Sequence, residues 1–367
     1  MATIEQLETP AVLIDLDVLD RNLRKTAELA RQAGVKLRPH AKTHKSVWIA
    51  KEQIRHGACG ITVAKLGEAE VMADGGMDDI LVAYPIVGEA KLERLGRLMS
   101  RAKITVSTDN VDVARGLSAL GVRLGQPVRL YIDVNTGLNR CGKEPGQETV
   151  ELVKQMADLP GIRIVGVMTH AGHAYGKTSR EELLAIARYE AESLAMTMRM
   201  LRDDLGLPME EVSVGSTPTS KFITELAGIG VTEMRPGAYV FGDISQSAIG
   251  LIDESEYAMQ IKATVVSTPR EGTILVDAGS KTLTTDVNPH RRGYGLVRGT
   301  PEAVIDRLSE EHGSIAVPAG TEWKIGDAVY IIPNHCCTVT NLHDRLVGVR
   351  GGQVENYITV DARGKVQ

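Results

Sequence analysis

The amino-acid sequence predicts an α/β protein in which a (β/α)8 TIM-type barrel is followed by a second, mostly antiparallel β domain. Through roughly two thirds of the chain, short β-branched runs alternate with segments of helical periodicity, which is typical of βαβ units and a parallel sheet. After about residue 245, β-branched runs separated by turn residues replace the helical segments, which favours antiparallel pairing.

Eight runs after the opening segment are predicted as the barrel strands. They are Lys36–Lys42, Gly60–Ala64, Asp79–Tyr84, Lys103–Thr108, Val128–Val134, Arg163–His170, Glu211–Ser216 and Met234–Phe241. The helical candidates between them include Gly67–Ala73, Glu89–Ser100, Gln147–Ala157 and Ser179–Asp203. Eight such strands favour a closed barrel, and an open doubly wound sheet is the alternative because its local pattern is the same.

The change of pattern along the chain predicts three segments. Residues 1–25 form an N-terminal segment whose run Ala11–Asp17 is expected to pair with the β domain. Residues 26–245 form the barrel, and residues 246–367 form the C-terminal β domain.

Composition restricts the class of protein. The 367 residues are 43% hydrophobic and 24% charged, which is ordinary globular composition, and the formal net charge is -5. Without a basic surplus, neither nucleic acid nor an anionic membrane is an expected partner. No apolar run is long enough to span a membrane and the start of the chain lacks a signal-peptide pattern, so we expect a cytoplasmic protein with a small-molecule substrate.

A lysine stands at the mouth of the predicted barrel. Catalytic groups of such barrels lie at the carboxyl ends of the strands, and the first strand ends in RPHAKTHK, with Lys42 beside His40. A lysine among other cations and away from bulk water has a lowered pKa and can act as an amine nucleophile. A solvated basic loop is the alternative interpretation of the same residues.

Loops rich in glycine and hydroxyl residues follow the seventh strand and lie within the eighth. The candidate residues are Gly215, Ser216, Thr217, Gly237, Ala238 and Tyr239. Loops at these two positions of a barrel commonly bind phosphate through backbone N–H groups. A phosphate beside a lysine suggests pyridoxal phosphate as the cofactor, although such loops are also ordinary turns and helix caps.

Three more side chains are expected near the barrel mouth. Arg140 follows the fifth strand and could hold an acidic group of the cofactor or substrate. His170 and His173 follow the sixth strand, and two imidazoles at one barrel mouth suit a base or a ligand role.

A metal pair is predicted in the β domain. In extended chain, His335 and Cys337 would project to the same side and could chelate a borderline-soft ion such as Zn²⁺. Such a pair leaves coordination positions open, which suits catalysis. The alternative is a turn histidine followed by two packed cysteines.

Motifs along nearly the whole chain resemble the metal-activated, pyridoxal-phosphate-dependent D-threonine aldolases and D-serine dehydratases, which share an alanine-racemase-like barrel and β domain. The motifs are TPAVLIDLDVLDRNL, RPHAKTHKS, KLGEAEVMADGGMDDILVAYPIVG, RCG, HAGHAYG, GSTPT, RPGAYVFGD, LVDAGSK and PNHCCTVTNLHD. Their order and spacing, more than any one of them, carry the resemblance.

The resemblance implies a role for each candidate. Lys42 would hold pyridoxal phosphate covalently with His40 nearby, Arg140 would lie against the cofactor ring, and the two loops would hold its phosphate. His335 and Cys337 would hold Zn²⁺ or Mn²⁺, and one of the two barrel histidines would lie near the metal or the substrate hydroxyl. A homodimer is also implied.

The implied activity is a lyase reaction on D-3-hydroxy amino acids. Aldol cleavage to glycine and an aldehyde is the first prediction, and β-elimination by a D-serine or D-3-hydroxyaspartate dehydratase is the alternative. The family's dehydratases have His-x-Cys as their metal pair, and His335 and Cys337 match that pattern. In contrast, the segment Asn341–Asp344 and the compact length of the chain resemble the aldolases. A racemase on this scaffold would need no metal pair, which argues against that third activity.

Overall fold

The structure, a computed structural model, describes residues 2–367 and divides into two compact units. We call them the barrel unit and the β unit. The barrel unit comprises Lys25–Lys42, Ile49–Gly237 and Lys365–Gln367, and the β unit comprises the chain up to Arg24, Thr43–Trp48 and Ala238–Gly364.

The bounds of the elements are as follows. The strands are β1 Ala11–Asp15, β2 Lys36–Leu37, β3 Ile61–Val63, β4 Asp79–Val82, β5 Lys103–Thr108, β6 Val128–Asp133, β7 Ile162–Met168, β8 Glu211–Val214, β9 Glu233–Met234, β10 Met259–Arg270, β11 Thr273–Val276, β12 Leu296–Val297, β13 Val304–Leu308, β14 Gly313–Ala316, β15 Ala328–Ile332, β16 Arg345–Arg350 and β17 Gln353–Thr359. The α-helices are α1 Leu16–Ala33, α2 Val47–Arg55, α3 Leu66–Asp74, α4 Glu89–Met99, α5 Val111–Leu124, α6 Gln147–Lys154, α7 Arg180–Leu205, α8 Thr217–Ser220, α9 Ile244–Ser247, α10 Ser280–Leu283 and α11 Cys336–Thr340.

The barrel unit confirms the predicted eight parallel strands. They run in the order β2-β9-β8-β7-β6-β5-β4-β3. A parallel bridge between His40 and Thr62, together with a 2.9 Å hydrogen bond from the Cys59 amide to the Leu37 carbonyl, joins the two ends of this order. The strands therefore close on themselves, and the open-sheet alternative is wrong.

The first and last barrel strands are much shorter than the sequence predicted. The predicted runs were Lys36–Lys42 and Met234–Phe241, but β2 and β9 contain two residues each. Pro39 and Pro236 lie just beyond them, and proline has no N–H to donate to a ladder. Lys42 consequently lies in a short 3-10 helix, Ala41–Thr43, instead of in a strand.

The β unit is built around an antiparallel sheet, as the fold class predicted, and the structure shows in addition that this sheet is closed. Each strand pairs with the next one in the spatial order β10-β11-β14-β13-β12-β15. Strand β15 also pairs with β10, which closes the sheet. The N-terminal strand β1 pairs antiparallel with β10 and parallel with β16, and β17 ends the order beyond β16.

The contacts divide the chain at different residues from those expected from the pattern alone. Segment 43–48 lies in the β unit because the Ala362 amide donates to the Lys45 carbonyl at 2.9 Å and the Val47 amide donates to Asp361 at 2.7 Å. Residues 238–245 also lie there, where the Ala258 amide donates to the Phe241 carbonyl at 2.7 Å.

In the part of the chain that the structure describes, no helix combines the length and the apolar character needed to cross a membrane.

A buried chain of polar side chains runs through the interior of the barrel. The Arg38 guanidinium contacts Glu233 Oε2 and Asp79 Oδ1, each at 2.6 Å. Ser213 donates to Glu233 Oε1 at 2.5 Å, and Arg235 in turn donates to Ser213 Oγ. We call these five residues the interior polar chain.

Helix α5 approaches the barrel closely at a glycine contact. A methyl group on Gly121 would overlap the Gly161 carbonyl oxygen, and one on Gly161 would overlap the Ser118 carbonyl oxygen. The Gly161 amide donates to Ser118 Oγ at 3.0 Å. Glycine at these positions is therefore a packing requirement.

We expect Gly121→Ala to destabilise the protein by about 1–3 kcal/mol, because backbone must move to admit the methyl group. Gly116→Ala on the same helix is the matched control: its methyl group would meet Leu92 Cδ1 at 3.5 Å, an ordinary contact. That variant should gain up to about 1 kcal/mol from the higher helix propensity of alanine. Urea unfolding measures both, and equal effects would contradict the close approach.

Candidate active site

A cavity of about 520 Å³ opens where the barrel strands end. Its wall is drawn from residues at or just after the carboxyl ends of β2, β3, β4, β6, β7, β8 and β9. The wall residues with polar or charged groups, together with one glycine, include His40, Lys42, Tyr84, Lys91, Asp133, Arg140, His170, Gly215 and Arg235. This is the end of the barrel at which active sites of this architecture lie.

Lys42 and His40 occupy the turn that follows β2. The Lys42 amide donates to His40 Nδ1 at 3.3 Å, so the imidazole fixes the backbone that presents the lysine. Both side chains line the cavity. A primary amine at this position can attach covalently to a carbonyl group.

His170 is held as a neutral imidazole in the same wall. Its Nδ1 lies 3.3 Å from the Gly215 carbonyl oxygen, which can only accept, so Nδ1 carries the proton and Nε2 has the free lone pair. Burial, with help from the Lys42 and Arg140 charges, lowers the pKa of His170 to about 3. The residue is therefore a proton acceptor at neutral pH.

The cavity wall has more positive than negative groups. Lys42, Lys91, Arg140 and Arg235 are cationic, whereas Asp133 is the acidic member of the wall in residues 2–367. Burial raises the pKa of Asp133 to about 6, which makes its negative charge weaker near neutrality. This arrangement favours a ligand that carries several negative charges.

Arg235 is the most deeply buried of these cations, with 5% of its surface exposed. It donates to Ser213 Oγ and to the Thr169 carbonyl, and burial lowers its pKa. Its position is thus fixed by the interior polar chain.

The loop after β8 is organised by its own hydrogen bonds. Ser216 caps α8, its amide donates to Thr219 Oγ1 at 3.1 Å, and the Gly237 amide donates to Thr217 Oγ1 at 3.2 Å. Of the predicted phosphate residues, Gly215 is the one that lines the cavity among the described residues. Ser216 and Thr217 are buried in the loop, and Ala238 and Tyr239 belong to the β unit.

The structure separates the two barrel histidines that the sequence left equivalent. His173 lies in the 3-10 helix Gly172–Gly176 and is not part of the cavity wall formed by residues 2–367. Burial and the nearby Lys177 lower its pKa. His170 alone of the pair lines the cavity.

Four side chains of the cavity wall that carry a charge or a phenol were not among the predicted site residues. They are Tyr84, Lys91, Asp133 and Arg235. Asp133 ends β6, and Tyr84 and Arg235 lie within two residues of the ends of β4 and β9, so their position at strand ends was the signal that could have found them. Lys91 lies in the first turn of α4, where strand position gives no signal.

The predicted metal residues lie together in the β unit. His335 is the residue before α11, and its Nδ1 lies 3.0 Å from Asp286 Oδ2, to which Thr338 also donates at 2.8 Å. Burial would lower the pKa of His335, but Cys337, Asp243 and Asp286 outweigh it and raise the pKa to about 10. Asp286 was not predicted, because 49 residues separate it from His335.

Cys337 lies within hydrogen-bond reach of His335, and its thiol donates to Thr43 Oγ1 at 3.2 Å. Residues 2–367 contain no group of three or more His, Cys, Asp or Glu side chains placed to hold a metal ion. The pair nevertheless fits a partly open site: Asp286 contacts Nδ1 of the imidazole, as carboxylates do behind metal-binding histidines, so Nε2 and the Cys337 sulfur are the atoms that could bind a metal ion once their protons leave.

Comparison with known proteins agrees with this architecture. The alanine racemase N-terminal domain family matches residues 14–245, and the serine dehydratase domain family matches residues 258–349. The chain is 32% identical to D-threonine aldolase of Arthrobacter sp., over 98% of this chain and 94% of that protein. It is 33% identical to D-threo-3-hydroxyaspartate dehydratase of Delftia sp. strain HT23, over 100% and 97%.

Among solved structures, that of D-threonine aldolase from Filomicrobium marinum superposes with a TM-score of 0.92 at 34% identity, covering 99% of this chain and 98% of that one. The two domain matches together span most of the chain, and the two relatives and the solved structure each span nearly all of it. The chain therefore belongs to the family in which an alanine racemase N-terminal domain precedes a serine dehydratase domain, the family of these aldolases and dehydratases.

Proposed function

We propose that this chain is a lyase that depends on pyridoxal phosphate and a divalent metal, acts on D-3-hydroxy amino acids, and cleaves them by a retro-aldol reaction as a D-threonine aldolase does. The observation that carries the proposal is the pairing of a lysine amine, Lys42, with a neutral imidazole, His170, in one cationic cavity. Two of the similar proteins given above are named D-threonine aldolase, which supports the same reaction.

The cavity fits the cofactor. Pyridoxal phosphate presents an aldehyde and a phosphate dianion, and the wall supplies a primary amine in Lys42 and cations in Arg140 and Arg235. Gly215 has a backbone φ of 112°, which brings main chain without a side chain to the cavity wall. When bound, the cofactor supplies an electron sink for charge that develops at Cα.

His170 is the group we assign to the β-hydroxyl proton. Aldol cleavage requires that proton to leave as the Cα–Cβ bond breaks, and Nε2 of a neutral imidazole can accept it. The low pKa of His170 reflects burial and the surrounding cations. An anionic cofactor and substrate would offset that positive charge and make Nε2 a stronger base.

The metal pair would be His335 and Cys337. A divalent ion held by an imidazole nitrogen and a thiolate, with open coordination positions, supplies Lewis-acid chemistry toward a hydroxyl oxygen. Asp286 orients His335 through the 3.0 Å contact at Nδ1.

β-Elimination is the second candidate, and Cys337 is the residue that favours it. The resemblance links a cysteine at this position of the metal pair to dehydratases, and a dehydratase is among the relatives at 33% identity. In that reaction Lys42 would take the proton from Cα and the β-hydroxyl would leave as water. The released enamine would then be hydrolysed to a keto acid and ammonia.

A product assay tests the proposal. The full-length protein is incubated with pyridoxal phosphate and Zn²⁺ or Mn²⁺, with D-threonine, D-serine or D-threo-3-hydroxyaspartate as substrate. We expect glycine and acetaldehyde from D-threonine, and loss of that activity after chelation or in His335→Ala. Cys59→Ser, which alters an exposed thiol outside the metal pair, should keep full activity. Ammonia and a keto acid without glycine would establish elimination instead.

The site of cofactor attachment can be read directly. After borohydride reduction of the loaded protein, we expect the cofactor's mass on the peptide that contains Lys42, and none in Lys42→Ala, because only an amine can be trapped in this way. Lys91→Ala is the matched control, since Lys91 is the other lysine of the cavity wall in the described chain. A label that persists in Lys42→Ala would refute this assignment.

The two histidine variants separate the roles that the sequence left open. His170→Asn should lower kcat for aldol cleavage by about 10²–10⁴-fold, the usual contribution of a general base. His173→Asn should change kcat little, because His173 is outside the cavity wall formed by residues 2–367. The reverse order of effects would move the base to His173.

A further inference from the structure

Glu190 is a buried carboxyl that the proposed chemistry does not use. It lies in the middle of α7 with 1% of its surface exposed. Its Oε2 lies 3.4 Å from the Gly215 amide, and its Oε1 has no hydrogen-bond partner among the described residues. Burial raises its pKa to about 7, while Thr219 and Arg235 oppose that rise.

A carboxyl in such a place is costly for the fold. Burial of an acid with one unpaired oxygen carries a desolvation penalty, and apolar residues of similar size often replace buried ionisable groups without loss of stability. Stability therefore gives no reason for a glutamate at position 190, and its contacts are the place to find one.

Those contacts fix the loop Gly215–Thr219 at both ends. At one end, Glu190 accepts from the Gly215 amide. At the other, the Thr219 side chain is hydrogen-bonded to Glu190, and Thr219 Oγ1 also accepts from the Ser216 amide at 3.1 Å. One carboxylate thus holds the Gly215 amide directly and the Ser216 amide through Thr219, and the Ser216 amide shares a peptide group with the Gly215 carbonyl.

Gly215 connects this carboxylate to the cavity. Its φ of 112° is open to glycine and rare for other residues, and its carbonyl oxygen lies 3.3 Å from His170 Nδ1. The N–H of the residue is held by Glu190 and its C=O accepts from His170.

We propose that Glu190 is a positioning residue for His170: by holding the Gly215 amide and, through Thr219, the Ser216 amide, it fixes the Gly215 carbonyl that accepts the Nδ1 proton and so keeps Nε2 as the unprotonated nitrogen. The functional meaning rests on the proposed role of His170 as the base. The structural claim concerns the tautomer of one imidazole and can be tested apart from lyase activity.

The variants are Glu190→Gln, Glu190→Leu and a control, Thr197→Val. Glutamine keeps an oxygen that can accept from the Gly215 amide and from Thr219, whereas leucine removes that acceptor. Thr197 is a buried polar residue on the same helix whose hydroxyl accepts from the Gly146 amide at 2.8 Å, so the control breaks a comparable loop contact away from His170.

The measurement is the ¹⁵N spectrum of the histidine rings in the full-length, histidine-labelled protein, with His170 assigned from the His170→Asn spectrum. We expect the wild type, Glu190→Gln and Thr197→Val to show the Nδ1–H tautomer. Glu190→Leu should show a mixture of tautomers or added Nε2–H. The same variant should lose about 10-fold or more in kcat with little change in KM, and glutamine should restore most of the loss.

Three outcomes would overturn the inference. An unchanged His170 tautomer in a folded Glu190→Leu protein would show that Gly215 does not depend on the carboxylate. Equal effects of glutamine and leucine would assign the role to charge, not to hydrogen bonding. A tautomer shift in Thr197→Val would show that the His170 tautomer responds to the loss of any buried polar contact on this helix. If lyase activity is absent while the tautomer follows Glu190, the proposed function fails and this inference stands.

Discussion

The barrel depends on the ion pairs that Arg38 makes in its interior. Strands β2 and β9 have two residues each, and main-chain hydrogen bonds from the Lys36, Arg38 and His40 amides cross the seam between the two segments. Side-chain contacts add to this short ladder. Arg38 contacts Glu233 of β9 and Asp79 of β4 at 2.6 Å each, and Glu233 is fully buried. A buried guanidinium left without these carboxylates would be strongly destabilising, so the charges specify how this seam closes.

The same pairs set the electrostatics of the cavity. Glu233 accepts from Ser213, and Ser213 accepts from Arg235, so Arg235 reaches the cavity with its position fixed and its charge not cancelled by direct pairing with Glu233. Fixed positive charge in a water-poor space binds anions without a cost of reorganisation. Burial is the main cause of the low pKa that keeps His170 neutral, and the charges of Lys42, Arg140 and Arg235 act in the same direction.

The sequence predicted what depends on local pattern. The β-branched runs that alternate with helical segments predicted the eight strands. The position of Lys42 at the end of the first strand predicted its place at the barrel mouth. The lengths of β2 and β9 depended on Pro39 and Pro236, which hydrophobic pattern does not weigh. Contacts between distant residues were out of reach: Asp286 meets His335 across 49 positions, and Glu190 meets Gly215 across 25. The same holds for the cavity wall, which in the described residues includes His170 and not His173.

The order of strands in the β unit bears on how the protein behaves at high concentration. Six strands close on themselves, which leaves β17 as the terminal strand of the sheet that the described residues form. An open strand edge can pair with another molecule and begin aggregation. Here the Val354 amide donates to the Ala2 carbonyl at 2.9 Å, and charged Glu355 lies exposed on the same strand. The first residues of the chain thus shield part of the edge through which molecules could associate.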